Sequence, residues 1–141
     1  MDIRTTSDSE IGILRSLNDD EILANIGLED SGVTATKALG VAGKNFLRQG
    51  DFSTAGISET FDDLVARGRA FFAKLWGQAR NVVCALYDQL NSNNPDREWL
   101  KLVAEELVKL LGIGGRLALL VVQAAIGRGL QNLCQMKIQP A

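Results

Sequence analysis

The side chains able to do chemistry are few, and they do not assemble into a known catalytic set. The chain contains no His, which removes the commonest metal ligand and the one side chain that ordinarily titrates near neutral pH. Ser–His–Asp triads, Cys–His pairs and His-rich metal sites are therefore excluded. Acid–base work by paired carboxylates stays chemically open. The candidates are Asp62 with Asp63, and Glu105 with Glu106, Glu98 lying two helical turns before Glu105. The first pair falls where a helix begins, a position that favours acidic residues on electrostatic grounds alone. The second pair has Lys101 and Lys109 at helical spacing, so ion pairing accounts for it. A di-metal carboxylate bundle needs acidic residues on several helices, usually with His, and that pattern is missing. No catalytic residue, metal ligand or cofactor is expected.

Two other stretches invite a test. Asp19, Asp20 and Glu21 lack the alternating oxygen ligands of a calcium loop. GVAGKNF around Gly40–Lys44 resembles part of a phosphate loop, but its glycine spacing is wrong and Asn45 stands where a Ser or Thr should follow the lysine. Cys84 and Cys134 are the only cysteines, both in apolar stretches and in no CxxC pair. The expectation is two buried thiols in a reducing compartment, with a Cys84–Cys134 disulfide as the alternative. The opening MDIRTTSDSE has neither a basic lead nor an apolar run, so no secretory signal is expected and the chain is placed in the cytoplasm.

The formal charge of −2 offers no general attraction to nucleic acid or anionic lipid. Locally, residues 1–58 hold nine acidic and five basic residues, and residues 95–141 hold four and six. Arg67, Arg69, Lys74 and Arg80 are scattered around one helix without a nucleic-acid motif, so nucleic acid is not an expected partner.

The elements around these residues are helical. A chain of 141 residues that is 46% hydrophobic and 23% charged buries a core without needing metal or disulfide support. The expected fold is all-α: one helical domain over 1–141, with a less regular part (1–58) and a core bundle (59–141). The organising stretch is 60–90, where Phe61, Leu64, Val65, Phe72, Leu75, Trp76, Val82, Val83, Leu86 and Leu90 recur with helical period. Such a helix is roughly 45 Å long. Thr60 caps it, and Gly68 and Gly77 are the places where it would bend or break. A second stripe of small residues, Ala66, Ala70, Ala73, Gly77 and Cys84, lets another helix approach closely.

Before it, Ser7 with Glu10 and Asn18 with Glu21 have capping-box spacing and open two short helices, the second stopped by Gly27. A glycine-softened helix presents Leu39, Ala42, Phe46 and Leu47, and DFSTAGISE reads as a linker pinned by Phe52 and Ile57. After it, Asn94 and Pro95 open a helix that buries Trp99, Val103, Leu107, Leu110 and Leu111 and ends at Gly112. Gly114 and Gly115 turn the chain into a last helix through Leu133, completing a hairpin over about 95–133. That helix has too little polar circumference to stand free, yet its apolar run is far short of the ~20 residues that span a bilayer.

Function follows from what is left. The reading is a non-enzymatic adaptor, assembly or regulatory module that binds protein through apolar helix faces and associates with itself. The candidate contact surface is Ala66, Ala70, Phe71, Ala73 and Gly77 on the long helix and Leu119, Val122, Ile126 and Leu130 on the last, with Arg116 and Arg128 as a charged edge. One alternative is a membrane-active protein whose C-terminal hairpin opens onto a bilayer. Another is a bundle that holds an apolar ligand.

Overall fold

A computed structural model describes residues 3–90 and 95–138. A single 3₁₀ turn, Ile3–Thr5, precedes eight helices: α1 Asp8–Ser16, α2 Asp19–Asp30, α3 Val33–Ala42, α4 Gln49–Thr54, α5 Phe61–Asp88, α6 Arg97–Leu111, α7 Gly115–Arg128 and α8 Leu130–Ile138. The protein is all-α, a bundle with a long central helix, short N-terminal helices and a C-terminal helical pair. The chain forms two compact units, one of Thr6–Lys74 and one of Met1–Thr5 with Leu75–Ala141. The division falls inside α5, between Lys74 and Leu75.

The first unit starts from local caps. Ser7 Oγ accepts from the Glu10 amide at 3.2 Å. Asn18 Oδ1 accepts from the Glu21 amide at 2.8 Å, while Glu21 Oε1 accepts from the Asn18 amide at 3.0 Å. Each cap satisfies amides that a helix start leaves bare. Beyond them, α2 does not stop at Gly27 but runs on to Asp30. Gly27 is interior because it meets α5: a Cβ there would strike the backbone of Leu64, and one on Gly68 would strike the backbone of Leu23. The two helices therefore cross backbone to backbone, with one glycine from each at the contact. Gly68 is a packing site and no break occurs there or at Gly77; α5 is a single helix of 28 residues. Thr60 Oγ1 caps it, accepting from the Asp63 amide at 3.1 Å.

Two expectations for residues 34–58 are corrected. Helix α3 ends at Gly43, which takes the left-handed conformation (φ 65°) and donates its amide to the Leu39 carbonyl at 2.9 Å. Phe46 and Leu47 lie past that end, and both are buried. They are held by Asn25, a fully buried residue whose Nδ2 donates to the Leu47 carbonyl at 2.9 Å while its Oδ1 accepts from the Leu47 amide at 3.0 Å. A side-chain amide here does the work of a β-bridge. The supposed linker contains α4, whose start is fixed by Asp51: its Oδ2 accepts from the Arg48 amide at 2.9 Å. Phe52 is buried and meets Phe61 edge to face, with ring centroids 5.5 Å apart.

In the second unit α7 is the inner element. Residues 116–122 are all buried, and α6, α8 and the Ile3–Thr5 turn pack on it. Helix α6 is capped by Asp96, whose Oδ1 accepts from the Trp99 amide at 2.9 Å. It begins at Arg97, so Pro95 stands outside it; Asn94, also expected at this start, lies outside the described residues. Trp99, Leu100, Val103, Ala104 and Leu107 are buried, and Trp99 Nε1 donates to the Leu86 carbonyl of α5 at 3.1 Å. Leu110, expected on this side, is 56% exposed. Gly112, at φ 67°, ends α6 as anticipated. The last helix is not continuous to Leu133: Gly129 (φ 92°, ψ 96°) breaks it into α7 and α8. Of the C-terminal MKIQPA, Met136–Ile138 belong to α8 and the rest lies outside the described residues.

Candidate functional site

Of the acidic residues weighed for chemistry, Glu98 is exposed in the first turn of α6. Asp62 and Asp63 are both exposed in the first turn of α5, and the Asp63 backbone amide donates to the Thr60 cap. Glu105 pairs with Arg4 at 3.4 Å and Glu106 with Lys109 at 3.7 Å. Among the described residues no group of three or more Cys, Asp or Glu is placed to hold a metal ion. Lys44, the phosphate-loop candidate, turns to Asp51 at 3.1 Å, and Gly43 beside it serves as the cap of α3. The amide of Arg48, helped by Lys44, holds the Asp51 carboxyl below the usual carboxylate value against the opposing effect of burial.

The cysteines correct the first expectation made for them. Cys84 on α5 and Cys134 on α8 form a disulfide, with their α-carbons 5.5 Å apart. Fifty residues separate them in sequence, so no local spacing announced the pairing. Helix α8 brings Cys134 back to α5 after the turn at Gly129.

The proposed contact residues divide by location. On α5 the small residues Ala66, Ala70, Ala73 and Gly77 are all exposed, whereas Leu64, Val65, Phe72, Leu75, Ala79 and Val83 are buried. Phe71 is half-buried beside Phe72, which is fully covered. On α7 the situation is reversed. Leu119 and Val122 are wholly buried, as is Leu130 at the start of α8, and Ile126 is half-buried. This face is used within the chain.

The charged edge does not form. Arg116 lies in the first turn of α7 and is only 6% exposed, whereas Arg128 is exposed at the other end of that helix. Twelve residues of helix set their α-carbons about 18 Å apart. Arg116 was expected on a charged edge with Arg128, but α7 is buried from its first turn.

Two surface features were not anticipated. The outer side of α6 exposes Leu102 and Leu110, 49% and 56% respectively. Beside Leu102 is a shallow hollow of about 270 Å³ walled by Arg4, Glu98, Lys101 and Glu105. In the first unit a groove of about 330 Å³ lies over the Phe52–Phe61 pair, rimmed by Gln49, Ser53, Glu59 and Thr60. Its one carboxylate, Glu59, is already bound by Arg67 at 2.9 Å. Period analysis put Leu110 inward because it lies near the Val103–Leu107 line; only the real packing arc around α6 separates them.

No protein-family model, curated protein or solved structure matches the chain. The geometry stands alone. Among the described residues, no helix is long and apolar enough to cross a membrane.

Proposed function

We propose that the protein is a non-enzymatic interaction module that pairs with a second copy of itself through the small-residue face of α5. The observation that carries this reading is the exposure of Ala66, Ala70 and Ala73, at spacings of four and three, on a helix that buries Leu64, Phe72, Leu75 and Val83 on its other side. Small side chains allow two helix backbones to come close, and little side-chain entropy is lost when they do. Such a face suits an isologous contact, in which the same patch serves both partners. The charges around it agree: Asp62 and Asp63 precede the stripe and Lys74 follows it. Two copies of α5 crossing antiparallel near Ala66–Ala70 set the acidic end of each beside the lysine of the other.

Glu105 and Glu106 are engaged in ion pairs and Asp62, Asp63 and Glu98 are exposed, which supports a role without catalysis. The cytoplasmic expectation rested on the opening residues and on two free thiols, and the Cys84–Cys134 bond withdraws the second support, since disulfides persist mainly in oxidising compartments.

Light scattering at micromolar and near-millimolar concentration tests the proposal. The expected result is a rise toward the dimer mass, weakened at high salt and lost in Ala70→Glu with helical content intact. A particle that stays monomeric throughout, or an Ala70→Glu variant that associates like the parent, overturns it.

A further inference from the structure

The Cys84–Cys134 bond occupies an unusual place in the second unit. It ties the last described helix, α8, to α5. That helix is nine residues long and is separated from α7 by Gly129, whose positive φ and extended ψ interrupt the helical hydrogen-bond ladder. A helix of this length has negligible stability of its own and depends on what holds it. Over residues 130–134 the inward side chains are Leu130 and Cys134, both buried; Leu133 is half-buried, and Gln131 and Asn132 face water. One leucine and one covalent bond thus provide the main anchorage of that stretch. The face against which α8 packs belongs to α7, in which residues 116–122 are all buried.

We propose that the Cys84–Cys134 disulfide is a redox latch: its reduction releases α8 about Gly129 and uncovers the side of α7 that α8 covers. The reductant is a dithiol. Its thiolate attacks Cys134 Sγ, the sulfur carried on the short helix, forming a mixed disulfide and expelling Cys84 as a thiolate that takes up a proton. The second thiol of the reductant then displaces Cys134, leaving two protein thiols and one oxidised dithiol, with two electrons transferred. Both cysteines are almost fully buried, so attack requires α8 to lift transiently; the short helix with its glycine joint is the part of the unit built to do so. Loss of the bond leaves Leu130 as the remaining described buried anchor at this end, and the closed position is no longer enforced. The surface released is apolar and adjoins Ile126, so the reduced state gains an adhesive patch that the oxidised state lacks. This inference does not depend on pairing through α5.

Hydrogen exchange read by mass spectrometry on the full chain, oxidised and after treatment with dithiothreitol, tests it, with alkylation confirming two free thiols. The expected result is at least a tenfold loss of protection over 130–138 and a smaller loss over 123–128, while α6 and the helices of the first unit are unchanged. A Cys84→Ser/Cys134→Ser variant should show the same pattern without reductant, and oxidised glutathione should restore protection only in the parent. Unchanged protection of 130–138 after reduction overturns the latch. So does loss spread evenly over α6, α7 and α8, which makes the bond a general staple. So does a disulfide that resists the dithiol under native conditions.

Discussion

Replacing Gly68 by Ala adds one methyl group to α5 and should be among the most damaging small changes available to this protein. A Cβ at Gly68 would stand 2.6 Å from the carbonyl carbon of Leu23 and 2.9 Å from the amide nitrogen of Gly27, and closer still to the Leu23 oxygen. All three are backbone atoms of α2, so no side chain can swing aside. Restoring ordinary contact at roughly 3.5 Å needs the helices to part by about 1 Å or more, a gap that forfeits a quarter to a half of the dispersion energy of every atom pair across it. The neighbours that lose contact are buried, among them Leu23, Leu64 and Phe72. The expected cost is at or above the upper end for overpacking, about 3 kcal/mol, a large share of a typical net stability of about 5–15 kcal/mol. The control lies on the same helix: Gly77 is exposed, and a Cβ there meets nothing within 4 Å. Gly77→Ala should therefore stabilise by about 1 kcal/mol through helix propensity alone. Urea unfolding followed by far-UV circular dichroism measures both, because the whole chain is helical. Two glycines nine positions apart should thus give effects of opposite sign. A Gly68→Ala protein as stable as the parent would refute the backbone crossing of α2 and α5.

Two further outcomes follow from the first unit. Asn25→Ala should cost about 2–4 kcal/mol, since it strands the buried amide and carbonyl of Leu47, and hydrogen exchange at the Leu47 amide should accelerate in step; Asn25→Leu, which fills the volume but not the bonds, should not rescue it. Asp51 has a folded-state pKa below its unfolded value near 3.8, so its contribution is complete above that value and is lost as pH falls through the lower folded one. Protection of the α4 amides in the parent should accordingly fall on acidification below about pH 4, whereas Asp51→Asn should show weakened α4 protection already at pH 7 and no such acid step.

Local signals carried a good part of the architecture. Ser7, Asn18, Thr60 and Gly112 act within three or four residues of themselves, by accepting from a nearby amide or by adopting a left-handed turn. Those interactions are legible because both partners lie in one short window of sequence. The apolar period of 60–90 likewise identified a helix whose buried side is made by Leu64, Phe72, Leu75 and Val83.

What the sequence by itself determined, then, was the helical class, the long α5, the starts of α1, α2 and α5, the stop of α6, and the absence of any His-based chemistry. Tertiary structure alone decided how those helices use their faces. Gly27 looks like a stop and Gly68 like a weak point until α2 and α5 meet, when each missing Cβ becomes the space the other backbone fills. Leu107 and Leu110 share an apolar pattern, yet the first is wholly buried and the second exposed, because burial depends on the arc its neighbours cover. Arg116 goes inside, Asn25 clamps a segment 22 residues away, and Cys84 finds a partner 50 residues on. Each of these depends on an atom supplied by a distant part of the chain, and neither periodicity nor propensity carries information over that distance.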